Sequence, residues 1–243
     1  MVLAGLAVLL GCGEPGDACC TAEEVIARAR AVQGAGVLDH ATLSFVFRGD
    51  RFTVERDGGR FAYARETSDS TGAVVRDVLT NDGLTRTADG DTVALSERDH
   101  LIAEEAVNSV VYFFLLPYPL SDPAVRPRLV GADTLRGEPY ERVEVTFEQE
   151  GGGRDYQDVF VYWFHRDRGT MDYFAYSYED SGGGARFRQV VNPRTVGGIR
   201  VVDHLNFAAD PEVPLERLGR MWAGDSLRLL SEIVHEEVQL VER

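Results

Sequence analysis

The chain has 243 residues, a formal net charge of −15 and 27% charged side chains. Acid excess on that scale excludes nucleic acid and an anionic membrane surface as electrostatic partners. Its length, with 44% hydrophobic residues, suffices for one large β domain or two small ones.

The N-terminal run Val2 to Cys12, VLAGLAVLLGC, is apolar throughout. It is too short to span a bilayer, which takes about 20 apolar residues, and it fits the apolar core of a secretory signal. Leu9-Leu10-Gly11-Cys12 has the pattern of a bacterial lipoprotein processing site. Small Gly11 admits the peptidase, and the Cys12 thiol accepts diacylglycerol. No Lys or Arg precedes the run, which departs from the usual signal. The competing reading is a buried N-terminal strand or helix, but a surface helix would want a polar face that this stretch lacks. Residues 1–11 are therefore expected to be a signal peptide, 12–20 a lipidated cysteine and tether, and 21–243 the folded domain. Several acyl chains on Cys12 would make a stable anchor. Adjacent Cys19 and Cys20 bridge each other only with strain, and two cysteines are too few for structural zinc. No later apolar segment is long enough to cross a membrane.

Thr21 with Glu24 has capping-box spacing, and Val25, Ile26, Ala29 and Val32 follow at helical intervals. This predicts a helix from 21 to about Gly34, where glycine ends it. Alternating Leu43, Phe45 and Phe47 begin a series of short strands. Gly49-Asp50, Asp57-Gly58-Gly59, Asn81-Asp82-Gly83 and Asp89-Gly90 are turn signals between them. The strands are expected at 51–55, 60–63, 74–79, 84–87 and 92–95. Residues 97–116 suit a second helix, which Pro117, Pro119 and Pro123 then break. Strands resume at 140–148, 159–164, 170–178, 185–191 and 199–207. The run 159–164 is apolar on both parities, so both its faces should be covered. Residues 214–221 suit a short helix. For 229–241 both strand and helix fit, and the alternation of Val238 and Leu240 favours a strand. The fold class expected is mainly β (α+β). About ten strands form one strongly curved antiparallel sheet, a half-barrel covered by a few helices, because a sheet this wide must curl, split or be covered.

Particular strings carry a resemblance. They are Asn108-Ser109-Val110-Val111-Tyr112-Phe113, Leu116-Pro117-Tyr118 and Asp122-Pro123-Ala124-Val125, followed by Val145-Thr146-Phe147, Gly151-Gly152, Tyr162-Trp163, Met171-Asp172-Tyr173, Arg186-Phe187-Arg188 and Asn192. As a set they resemble an uncharacterised family of predicted bacterial lipoproteins. That family looks similar in architecture to the half-barrel carriers and sorting factors LolA, LolB and LppX. The resemblance implies a curved antiparallel sheet wrapped around helices, with an apolar cavity for acyl chains. It is a likeness of fold, and one fold hosts many functions. The expected location is the cell envelope, on the periplasmic side of the outer membrane; by analogy with known lipoproteins, Gly13 merely fails to supply an inner-membrane retention aspartate.

Phe45, Phe47, Phe52, Val54, Phe61, Tyr63, Val145 and Phe147 recur at one parity in neighbouring strands and are expected on one face. An aromatic face of this kind can line a cavity for an acyl chain, at about 0.8 kcal/mol per methylene buried. Packing on the helices is the preferred reading, because a core face usually serves packing, and the residues are the same in both cases. Glu148, Glu150, Asp155 and Asp158 gather oxygens around a glycine run, but without the spacing of a calcium loop; a solvated hairpin tip is the better reading. His40, His100, His165, His204 and His235 are scattered, and no G-x-S-x-G elbow accompanies them. The glycine groups at 151–153, 182–184 and 197–198 fit hairpins rather than a phosphate loop. Arg186 and Arg188 share a face and can pair with a head group, or with Glu144 or Glu148 across the strands; the cross-strand pairing is preferred in so acidic a chain.

These features predict a non-enzymatic, membrane-anchored envelope lipoprotein that binds an apolar or acyl-chain ligand in a carrier or sorting role. No cofactor and no metal are expected. The partners expected are the membrane, through the lipid anchor, and an acyl lipid or lipoprotein, with the chain a monomer. A protein-interaction scaffold at the membrane surface is the alternative, with the 113–120 segment as an exposed apolar patch. A secreted hydrolase is a weaker one.

Overall fold

In the computed structural model, residues 20–178 and 183–241 are described. The expected signal peptide, Cys12 and Cys19 lie outside them. Among the described residues no helix is long and apolar enough to cross a membrane.

The first helix, α1 (Ala22–Gln33), starts on the full Thr21/Glu24 capping box and ends at left-handed Gly34. Gly34 is doubly constrained. Its φ is +94, and a Cβ there would lie 2.4 Å from the Gly198 carbonyl oxygen. One further turn, α2 (Ala35–Leu38), leads into a meander of β1 (Thr42–Phe47), β2 (Asp50–Asp57), β3 (Arg60–Ser68), β4 (Val74–Thr80), β5 (Gly83–Ala88) and β6 (Asp91–Val93). Arg48-Gly49 makes the first hairpin, both residues at positive φ as a tight two-residue turn requires. Cross-strand register puts Phe45 opposite Phe52, Val54 opposite Tyr63, and Tyr63 opposite Leu79. Helix α3 (Glu97–Leu115) covers this face with buried Ala103, Val107, Val111 and Phe114, at steps of four, four and three.

A 3-10 turn over Tyr118–Ser121 leads to the second half: β7 (Val125–Leu135), β8 (Glu138–Phe147), β9 (Val159–His165), β10 (Met171–Tyr178), β11 (Gly184–Val196), β12 (Ile199–Ala209), α4 (Leu215–Ala223), β13 (Arg228–Ile233) and β14 (Glu236–Val241). The strands form two open antiparallel sheets of seven, ordered β14-β1-β2-β3-β4-β5-β6 and β13-β12-β11-β10-β9-β8-β7. The predominantly β, helix-covered architecture is as expected. The strands number fourteen, and the sheet is divided in two, as very wide twisted sheets tend to be. The division falls inside the expected final strand. β13 pairs with β12, the chain kinks through Val234-His235, and β14 pairs with β1.

Two other details depart from the sequence pattern. The sequence pattern does not mark β7, because Arg126, Pro127, Arg128 and Gly131 interrupt its alternation; it is an edge strand, where proline is tolerated. Asn192-Pro193 does not end β11 but forms an irregularity within it, with Asn192 at φ +49.

The second sheet is covered on both sides. Phe160, Tyr162 and Phe164 of β9 face α1, while Val161 and Trp163 face α4, as the double-parity apolar run predicted. At the seam, Gln33 Nε2 donates to the carbonyls of Leu115 and Leu116, both at 2.8 Å. These carbonyls end α3 and have no partner within the helix. The 113–120 segment, expected as an exposed patch under the scaffold alternative, is instead core: Phe114, Leu115, Leu116, Tyr118 and Leu120 are buried.

Candidate functional site

The eight residues of the aromatic face divide between the two sheets. Phe45, Phe52, Val54 and Tyr63 are buried against α3, with Phe47 and Phe61 partly buried at the margin of the same cluster. Val145 is buried in the second cluster, where Phe147 sits partly exposed. Phe45 is held on several sides, stacked on Phe52 at 5.2 Å and Phe114 at 4.0 Å and meeting His235 edge-on at 5.5 Å.

Phe147 alone of the eight borders a cleft of about 160 Å³ between α3 and the β8–β9 loop. Tyr112, Phe113, Phe147 and Phe160 make its apolar wall, and Glu104, Asn108, Arg154 and Asp155 lie around it. Gly152 lets the loop fold back, since a Cβ there would lie 2.1 Å from the Glu148 carbonyl oxygen. This volume is below the roughly 300–1,000 Å³ of small-molecule sites. A wider depression of about 550 Å³ beside α4 has charged walls, Arg142, Glu216, Arg217 and Arg220, and suits an apolar ligand poorly.

Behind the cleft wall lies a polar row, of which the sequence marks Arg188 as a candidate for a head group and His204 only as one of the scattered histidines. Tyr162 pairs with Phe174, Phe174 with Arg188, and Arg188 with Asn206, across β9 to β12 on one face. His204 stands two residues along β12 from Asn206. Arg188 is only 8% exposed. Its guanidinium lies 4.1 Å from the Phe113 ring centroid, 5.3 Å from Tyr176 and 5.5 Å from Phe174. Nη2 donates to the Tyr176 hydroxyl at 2.9 Å, and Nε has no partner. Neither ring nitrogen of His204 has one, nor do the Tyr112 and Tyr162 hydroxyls or Asn206 Oδ1. The two tyrosine hydroxyls neighbour each other outside hydrogen-bond geometry. Six of the eleven buried unpartnered side-chain polar atoms among the described residues are in this group. Native interiors leave few such atoms, so their concentration here marks the place.

Elsewhere the buried charges are paired: Asp77 with Arg86, Asp133 with Arg220, Glu141 with Arg28 and Asp203 with Arg194. Arg188 has no carboxylate within 4 Å among the described residues. Neither carboxylate suggested for it by sequence reaches it. Glu144 binds Arg128 and Glu148 binds Arg126, because β8 lies three strands away from β11. Arg186 instead rests on the Tyr178 ring.

Burial lowers the Arg188 pKa, lowers that of His204 well below its usual value with Arg188 adding to the effect, and raises those of Tyr112 and Tyr162. The other histidines have ordinary partners. His40 meets Asp57, His100 Glu104, His165 Glu138, and His235 the Val202 carbonyl; none of these contacts is to a serine. No group of three or more His, Cys, Asp or Glu among the described residues is placed to hold a metal.

His204 makes folding pH-dependent. The unfolded chain protonates it near pH 6.5, while the folded chain keeps it neutral to much lower pH. The unfolded state then binds the extra proton, so stability falls as pH drops below 6.5. Between pH 7.5 and 5.5 the loss from this residue is about 1.4 kcal/mol, and buried His235, also lowered by desolvation, adds to it. Urea unfolding at the two pH values measures this, and His204→Leu is expected to reduce the difference. An unchanged difference in that variant would contradict the assignment.

A profile described as a family of unknown function, DUF6503, matches residues 37–233. No curated protein sequence matches the chain. Among solved structures, a LolA superfamily protein from Nitrosomonas europaea aligns with TM-score 0.54 and 11% identity, covering 93% of this chain and 96% of that one. A DUF1329 family protein from Desulfovibrio piger aligns at 0.42 with 11% identity over 90% and 92%. A domain of a putative outer membrane lipoprotein-sorting protein from Vibrio parahaemolyticus aligns at 0.39 with 9% identity over 90% and 93%. The first of these shows that the fold is LolA-like.

Proposed function

We propose that this chain, which belongs to the DUF6503 family of unknown function, is a non-enzymatic envelope lipoprotein that binds an apolar or acyl-chain ligand. The observation that carries the reading is the aromatic cleft of Tyr112, Phe113, Phe147 and Phe160, backed by the unpartnered polar row behind it. An apolar chain entering the cleft gains roughly 0.8 kcal/mol per methylene buried. The LolA-like fold supports the reading at the level of architecture. The Leu9-Leu10-Gly11-Cys12 string supports lipidation of Cys12 and attachment to a membrane on the periplasmic side, with residues 12–20 as the tether. Enlargement of the cleft needs α3 to move relative to the β8–β9 loop, whose Gly151 and Gly153 sit at positive φ.

Solvent extraction of the full chain purified from membranes, followed by mass spectrometry, is expected to release acyl lipid beyond that covalently bound to Cys12. Purified protein stripped of lipid should take up a fluorescent fatty acid, and Phe147→Asp should weaken that uptake several-fold. A clean extract together with no uptake would remove the proposal.

A further inference from the structure

We infer that the ligand is an amphiphile with a single carboxylate head, and that Arg188 is the group that receives this head inside the protein. The inference deepens the function proposed above and rests on it.

A buried guanidinium is costly without a counter-charge, and among the described residues Arg188 has none within 4 Å. The three rings around Arg188 and the Tyr176 hydroxyl offset part of that cost through the attraction of a cation for aromatic faces. They leave its Nε donor unused. A carboxylate is acceptor-only and matches a guanidinium better than any neutral head group does. The neighbouring Tyr162 hydroxyl, whose polar neighbour is the Tyr112 hydroxyl, can turn to donate as well, and it lies within the electrostatic influence of Arg188. Among the described residues of this row Arg188 is the one cation; Arg186 and Arg48, whose charges also act on it, rest on the Tyr178 and Phe47 rings. A phosphate dianion would bring surplus negative charge to a buried arginine, whereas a carboxylate leaves the pair neutral.

Geometry also supplies the route. Phe113 lines the cleft and at the same time carries the Arg188 guanidinium on its ring, 4.1 Å away. Its ring is therefore the partition between the entrance and the charge. Rotation of that ring joins the two, leaving the head group on Arg188 and the hydrocarbon tail among Tyr112, Phe147 and Phe160.

The test compares three probes on the full chain freed of lipid: oleate, oleyl alcohol and dodecyl phosphate, by titration calorimetry at pH 8. Oleate is expected to bind at least ten times more tightly than oleyl alcohol. Arg188→Met should abolish this preference by weakening oleate alone, and Arg188→Lys should retain part of it. Equal affinity of the native protein for oleate and oleyl alcohol overturns the inference while leaving the proposed function standing. Full preference retained in Arg188→Met overturns it too, as does tighter binding of dodecyl phosphate than of oleate. Failure of all three probes to bind would instead count against the proposed function itself. Because the acid-to-alcohol ratio is read on the native protein, poor folding of a variant does not protect the inference.

Discussion

Trp163→Ala is expected to destabilise the protein by about 3–5 kcal/mol, the range for deleting a large buried aromatic. Trp163 is fully buried on β9, against α4. Its indole meets Phe187 edge-on at 5.7 Å, and Nε1 donates to Asp133 Oδ2 at 3.3 Å. Helix α4 approaches so closely that a Cβ on Gly219 would lie 2.9 Å from the indole ring. Removing the ring therefore takes away the surface on which α4 lies and one of the donors to buried Asp133. Asp133 keeps Arg220 at 3.0 Å, so the loss is mainly one of packing. Urea denaturation followed by circular dichroism measures it. A change below about 1 kcal/mol, the level of ordinary surface substitutions, would mean that α4 does not depend on this contact.

Asp203→Ala should cost about 2–4 kcal/mol by leaving buried donors without an acceptor. The carboxylate accepts from the His235 amide at 3.0 Å and from Asn192 Nδ2 at 3.3 Å, and it pairs with Arg194 at 3.1 Å. Arg194 also reaches the His235 carbonyl. These bonds fasten the kink at which the chain leaves the second sheet and enters the first. Arg194 is one-third exposed, and solvent therefore takes up part of its loss. Asp203→Asn keeps an acceptor for the His235 amide and should cost less. Hydrogen exchange supplies a local readout: the His235 amide should lose protection in Asp203→Ala more than amides in β9. Uniform loss across both sheets would show that the junction is not fastened at this point.

Much of the local structure was legible because it depends on short-range chemistry. The Thr21/Glu24 box and Gly34 bounded α1 correctly, since a helix end needs partners within one turn. Hairpins at Gly49, Gly83 and Gly90 followed from residues that reach positive φ easily. The double-parity run in β9 correctly announced cover on both faces. β7 was illegible because, at a sheet edge with proline and arginine in it, its alternation is broken. The division into two sheets was equally hidden, since His235 acts as a kink only through its contacts with Val202 and Asp203.

The site was legible only in fragments. Phe147 was singled out by alternation, and it borders the cleft. Arg188 was singled out as a charge on a strand, for which surface pairing is the ordinary expectation. What places it in the interior is α3, whose Phe113 lies over its guanidinium, with Phe174 and Tyr176 of neighbouring β10 around it. Only long-range packing brings Phe113 of α3 onto Arg188 of β11.

Sequence by itself determined the predominantly β class, the capped first helix, the turns and the apolar faces, because each rests on residues a few positions apart. The tertiary structure decided which of those faces became solid core, where the sheet parts, and that an arginine would sit among aromatic rings with no carboxylate of the described residues beside it. Burial and charge pairing are properties of the space around a residue, and that space is built by chain segments far away along the sequence.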